Sequence, residues 1–305
     1  MRPPIALPNV DATPQLAAAR FPFLRHHLPA IEIRPRRATE LVDASFQLLR
    51  RYYSQLVTVS AITMAPGVLL RIIMRDEMSN PQKMGTNPGP FIVVALVTVL
   101  SATVSDAVLS VAASDGYLTG DIDLSHALST GMGKIVSVFL ASFFRGLLLT
   151  ITIFAVALVF GLASLLKTPL VMIPVVPFAI WAMAWILLRT FALTSVVVLE
   201  DTGPNVAMAR SMKLTKGCTA HIFFSLGLAF FLYFIITAII SVLGITLLTP
   251  TTAEIIGSLV IIPIYPLLSV VSTMLYYDLR IRKEGFDLEI MSRELGTDAT
   301  PLPAA

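Results

Sequence analysis

Cysteine is nearly missing: Cys218 is the only one in 305 residues. An internal disulfide framework and a cysteine-based metal cluster are therefore excluded. The lone thiol, close to Lys216 in a polar connection, reads as incidental and reduced. Histidine is scarce too. His26 and His27 lie in a Pro/Arg-rich tail, while His126 and His221 stand apart, so no pair has ligand spacing on a helix and no metal site is expected. Charge is the third shortage. Charged residues make up 13% of the chain and apolar residues 56%, against about 25% and 45–50% in soluble domains. No Gly-rich phosphate loop, nucleotide motif or nucleophile elbow is present, so no cofactor and no catalytic group is expected.

What is there is apolar sequence in blocks long enough to cross a bilayer, which takes about 20 residues each. Six emerge, at 56–74, 91–113, 135–165, 170–199, 220–248 and 253–277. Pro66-Gly67 should kink the first. Lipid cannot solvate free backbone groups, so the blocks must be helices. The expected fold is an all-α polytopic membrane bundle of six transmembrane helices. Residues 1–38, with Arg2, Arg20, Arg25, Arg34, Arg36 and Arg37 but no apolar core, read as a disordered basic arm and not as a cleavable signal peptide. A membrane domain over 39–290 and a flexible tail over 291–305 complete the expected organisation.

The net charge of +3 does not point to nucleic acid, because the basic residues flank the apolar blocks instead of forming one patch. Their distribution speaks to orientation. With the N-terminus inside, segments 1–53, 114–134, 200–218 and 278–305 hold 16 of the 22 Lys and Arg residues. Arg71, Arg75, Lys83 and Lys167 fall at or beyond the outer boundary. The positive-inside rule then places both termini in the cytoplasm, with the chain in the cytoplasmic (inner) membrane. The outer connections are short, so function is expected in the helices or on the cytoplasmic face.

Three cytoplasmic amphipathic surface helices are expected, one before each odd-numbered span. Val42, Phe46, Leu49 and Tyr53 form a stripe before the first span, suited to the headgroup plane. Leu124, Leu128, Met132 and Ile135 repeat it before the third, with Asp123 as N-cap. Before the fifth, Pro204 stands at a first helical position and Gly217 where a C-cap belongs. A surface helix plus a hairpin, recurring about every 80 residues, has the organisation of a threefold repeat, although residue identity between the copies is poor.

Two stretches are more specific. One is Val198-Leu199-Glu200-Asp201-Thr202-Gly203-Pro204, followed by Ala207, Arg210, Ser211, Leu214 and Gly217. The other is Tyr276-Tyr277-Asp278-Leu279-Arg280-Ile281-Arg282-Lys283-Glu284-Gly285-Phe286-Asp287-Leu288-Glu289. With Glu40 and Asp43-Ala44-Ser45-Phe46, they resemble the prokaryotic family named after the membrane domain of glycerophosphoryl diester phosphodiesterases, over roughly residues 37–294. The resemblance implies a membrane part alone: in family members that are enzymes, the chemistry belongs to a separate soluble barrel, for which this chain has no room.

Charged residues supply the candidate sites. Glu200, Arg210, Asp278, Arg280, Arg282, Glu284 and Asp287 mix signs densely on the cytoplasmic side. They read either as solvated helix ends anchoring to anionic lipid headgroups or as a packed ion network or docking surface for a cytoplasmic protein partner. Asp106, Arg145 and Arg189 lie inside spans, roughly 10–15 Å from the cytoplasmic ends. A charge facing lipid costs at least ~2.5 kcal/mol, so the three should face inward and meet, Asp106 pairing with one arginine. The other arginine would hold an anion such as a lipid phosphate, or all three would simply lock helices together. Ser269, Ser272, Thr273 and Tyr276 would add polar lining or serve as ordinary helix contacts. These features suit a non-enzymatic membrane protein that binds lipid or a cytoplasmic partner. The alternatives are a small-solute or lipid transporter built on the intramembrane cluster, and a membrane-embedded lipid-metabolising enzyme.

Overall fold

In the computed structural model, residues 34–290 are described, apart from 79–84, 166, 169, 171 and 289. The basic arm up to residue 33 and the tail 291–305 lie outside the described residues. Everything regular among the described residues is helix, and six helices are long and apolar enough to cross a membrane: Tyr53–Ile73, Gly89–Leu118, Ile135–Leu165, Ile173–Leu199, Thr219–Leu247 and Thr251–Glu284. The protein is an all-α polytopic membrane bundle.

Apart from a single turn at Arg75–Met78, the elements in chain order are α1 (Ala38–Arg51), α2 (Tyr53–Ile73), α3 (Gly89–Leu118), α4 (Leu124–Gly133) and α5 (Ile135–Leu165), followed by α6 (Met172–Thr190), α7 (Leu193–Leu199), α8 (Pro204–Thr215), α9 (Thr219–Leu247) and α10 (Pro250–Glu284). Helix α2 runs through Pro66 without a break. The fourth span is instead interrupted at Phe191-Ala192, which separates α6 from α7. Helices α3 and α10 overrun their apolar blocks, to Leu118 and Glu284, because the residues beyond still have packing partners at that end of the bundle.

The short helices α1, α4 and α8 precede the three hairpins and pack onto the bundle, α1 and α4 using only part of the expected apolar stripe. Helix α1 buries Leu41, Ala44, Ser45 and Leu48, flanked by Val42 and Leu49, against α9 and α10. Ser45 Oγ donates to the Leu41 carbonyl and to the Met274 sulfur, while Tyr53 is 46% exposed. The apolar face is thus spent on protein, and the helix does not simply float among headgroups. In α4 the expected cap is present: the Asp123 carboxylate accepts from the backbone N–H groups of Ser125 and His126. Its buried residues, however, are Ala127 and Gly131, and Met132 is exposed. Small side chains win here because they let α4 approach α3 closely. In α8, Pro204 opens the helix, Ala207, Ser211, Leu214 and Thr215 face inward, and Gly217 takes φ +82° just past the end. A left-handed residue there suits glycine, which has no Cβ to strain.

Burial is concentrated at the end carrying these helices. Leu41, Leu48, Leu56, Leu109, Leu193, Leu214, Ile222, Leu275, Tyr276 and Leu279 are almost wholly inaccessible. Towards the other end, Phe154, Phe160, Ile245 and Leu247 are exposed, as lipid-facing side chains must be. Residues 34–37, expected to belong to a loose arm, are held: Arg34 pairs with Glu40 at 3.6 Å, and the Arg36 N–H donates to Asp278 Oδ1 at 2.7 Å.

Candidate functional site

A cavity of about 410 Å³ lies inside the membrane region, walled by α3, α5, α6, α9 and α10. Asp106 and Ser110, one turn apart, bring polar groups from α3, and Arg145 enters from α5. Tyr265, Ser269 and Ser272 share one face of α10 at i, i+4 and i+7. The remaining walls are apolar, with Leu187, Phe191, Phe223, Leu226 and Phe230 among them. Phe223 and Phe230 are more than half exposed, so this wall of the cavity borders the lipid side.

Two of the three intramembrane charges line this cavity. The Tyr265 hydroxyl donates to Asp106 Oδ1 at 2.6 Å, which satisfies half of the carboxylate. Arg145 makes no hydrogen bond and no ion pair among the described residues, and none of its nitrogens is sealed. The expected Asp106–arginine pair is therefore not formed. Arg189 is a correction of another kind, because it does not line the cavity. Ala184, Leu187, Leu188 and Phe191 form the cavity face of this span at i, i+3, i+4 and i+7. One further residue turns the side chain by about 100°. Arg189 consequently points towards α8, where Nη1 lies 3.5 Å from Thr215 Oγ1 and the guanidinium stands 5.8 Å from the Trp185 ring centroid. Its Nε is buried without a hydrogen-bond partner among the described residues, and its carbonyl accepts from Ser211 Oγ at 2.9 Å. It ties α6 to α8.

The residues suggested as extra polar lining also divide. Ser269 and Ser272 do line the cavity. Thr273 is buried, its hydroxyl without a hydrogen-bond partner among the described residues, and Tyr276 points to the charged end. Tyr265 was not picked out from sequence, although its i−4 spacing from Ser269 was a usable signal.

At the end carrying α1, α4 and α8, the charged motifs close on one another. Arg210 from α8 lies between two carboxylates: Nε is 2.9 Å from Glu200 Oε2, and Nη2 is 2.8 Å from Glu284 Oε2. These bonds, Glu284 first and Glu200 second, raise the guanidinium pKa above its ordinary value. The Tyr276 hydroxyl donates to Glu200 Oε1 at 2.8 Å. Arg280 reaches Glu284 at 3.4 Å and covers the Phe286 ring at 4.1 Å. Asp278, 3% exposed, gathers a second knot. It accepts from the Arg36 N–H at 2.7 Å and from Arg282 Nε at 2.7 Å, with His221 Nε2 at 2.9 Å. Arg282 also donates to the Arg36 carbonyl, and Lys134 pairs with Asp201. Asp287 stands outside both knots and has no partner among the described residues. The motif charges thus form a packed network joining α1, α7, α8, α9 and α10, and most of them are used in pairing.

Set against known proteins, the chain matches no family model, no curated protein and no solved structure.

Proposed function

We propose that this chain is a non-enzymatic integral membrane protein that holds a phosphate-bearing lipid, with the phosphate on Arg145 and the acyl chains along the apolar cavity wall. The observation that carries the reading is an arginine that makes no hydrogen bond and no ion pair among the described residues, in a mainly apolar cavity inside the membrane region. An unpaired buried charge is expensive, so a counter-charge belongs there. Guanidinium suits phosphate because its planar fork donates two parallel hydrogen bonds and stays charged. Depth fits as well. Arg145 lies ten residues into α5, about 15 Å from its start. At 31 residues, α5 is about 46 Å long and exceeds the ~30 Å hydrocarbon core. The guanidinium therefore sits only a little below headgroup level.

Binding is favoured over passage because the charged end is packed and cross-paired among the described residues. The same pairing favours a lipid over a protein partner, since few motif charges remain to greet one. The motifs around Glu200 and Asp278 support a place beside the stand-alone membrane parts of the glycerophosphodiesterase-related family. The excess of Lys and Arg at this end supports a cytoplasmic location for it, in the inner membrane.

Replacing Arg145 by Gln removes a charge-assisted pair worth about 1.5–3 kcal/mol, so phospholipid affinity should fall about 10- to 100-fold. Lipid phosphorus retained per chain after mild detergent extraction measures this, with the melting temperature as control. Equal retention by both proteins would defeat the reading.

Orientation is tested separately. In a variant lacking Cys218, a cysteine at the exposed Asn205 should stay unlabelled by an impermeant thiol reagent in intact cells. One at the exposed Thr251, near the opposite end, should react. Labelling at residue 205 without permeabilisation reverses the topology.

A further inference from the structure

The same cavity holds a second open group of opposite sign. Tyr265 satisfies Asp106 Oδ1. Oδ2 accepts nothing from the described residues and is not among the sealed polar atoms, so it opens onto the cavity. Asp106 and Arg145 line one space without forming an ion pair with each other. A carboxylate oxygen and a guanidinium, both open and unjoined, are complementary to a ligand that carries both charges itself.

Resting on the phosphate reading of Arg145, we infer that the cavity selects a zwitterionic phospholipid bearing a primary ammonium group, a phosphoethanolamine headgroup. The phosphate takes the Arg145 fork, and the ammonium takes Asp106 Oδ2. Two carbons separate the charges in such a headgroup, so one molecule neutralises both ends of the site. A purely anionic lipid leaves the Asp106 carboxylate beside a second negative group, and like charges in a poorly solvated site repel. The Tyr265 bond holds the carboxylate in one orientation before the ligand arrives, which lowers the ordering cost of binding. Ser269 and Ser272 offer hydroxyls near the same wall, and the aromatic residues Phe223 and Phe230 border the path along which chains would leave. That apolar wall commits the ligand to a lipid and not to the free headgroup.

The test uses full-length protein reconstituted in nanodiscs containing equal amounts of phosphatidylethanolamine and phosphatidylglycerol, with co-purifying lipid counted by mass spectrometry after extraction. Wild type should retain the ethanolamine lipid about tenfold in preference, the worth of one charge-assisted hydrogen bond. Asp106→Asn keeps an acceptor for Tyr265 but loses the charge, and should bring the ratio near one. If Asp106→Asn fails to fold, the wild type given N-acetyl phosphatidylethanolamine, which has no ammonium, should lose the same preference. An unchanged ratio in either arm overturns the ammonium site. Displacement of bound lipid by an equal concentration of soluble phosphoethanolamine overturns the lipid assignment. The phosphate reading falls by a different result, namely unaltered retention of both lipids in Arg145→Gln.

Discussion

Arg210→Met should lower the stability of the folded bundle by about 3 kcal/mol, at the lower end of what breaking a buried ion pair costs. The Arg210 side chain is 23% exposed, and its partners Glu200 and Glu284 are 15% and 30% exposed, so solvent screens the site only partly. Methionine keeps the apolar stem that packs beneath the guanidinium but removes every donor. Glu200 and Glu284 would then lose the guanidinium they share, Glu200 keeping the Tyr276 hydroxyl and Glu284 only the longer Arg280 contact. Three elements are affected at once: α8, the end of α7 and the last turn of α10. Arg210→Lys should recover only part of the loss, because one ammonium cannot fork towards two carboxylates. For a chain of this size the loss corresponds to about 6–12 °C in melting temperature, measurable by thermal unfolding in detergent. A shift of about 1 °C or less would mean that the network is a solvated surface.

The spans were legible in the sequence because lipid imposes a one-dimensional rule, about 20 apolar residues per crossing. The breaks were less so. Pro66 lies inside the continuous helix α2, and an interruption falls at Phe191-Ala192, where no proline marks it. Side-chain direction was harder still. Counting depth put Asp106, Arg145 and Arg189 in one layer, but depth fixes only one coordinate. The other, rotation about the helix axis, was written in the spacing of Ala184, Leu187, Leu188 and Phe191, which share a face that Arg189 cannot join. The stripe on α1 was right in part: Val42 and Leu49 are buried, but the packed face is turned towards Leu41, Ala44, Ser45 and Leu48, against α9 and α10, and Tyr53 is left exposed. Charge pairing between distant segments, such as Arg36 with Asp278, depends on the assembled bundle, and no local pattern announces it.

A close approach between α4 and α3 supplies the other large effect. A Cβ on Gly131 would stand 2.7 Å from the Val108 Cα and 2.9 Å from the Val108 backbone nitrogen. Backbone atoms in the middle of a membrane helix cannot give way as a flexible side chain can, so α4 would have to lift from α3. Gly131→Val should therefore cost more than the usual ~1–3 kcal/mol of overpacking, exposing Ala127, now fully buried. Even Gly131→Ala should destabilise, although alanine is intrinsically the better helix former by about 1 kcal/mol. Gly133, two residues on, has open space around its would-be Cβ, so Gly133→Ala should be neutral or slightly stabilising and serves as the control. Trimming the neighbour separates a backbone clash from a side-chain clash. Val108→Ala removes the Cγ2 atom that also lies 2.7 Å away, yet leaves the Cα and nitrogen in place. The double variant Gly131→Ala with Val108→Ala should melt no higher than Gly131→Ala alone. Rescue by the second substitution would show that α4 touches α3 through side chains only, and that glycine is not required at the crossing.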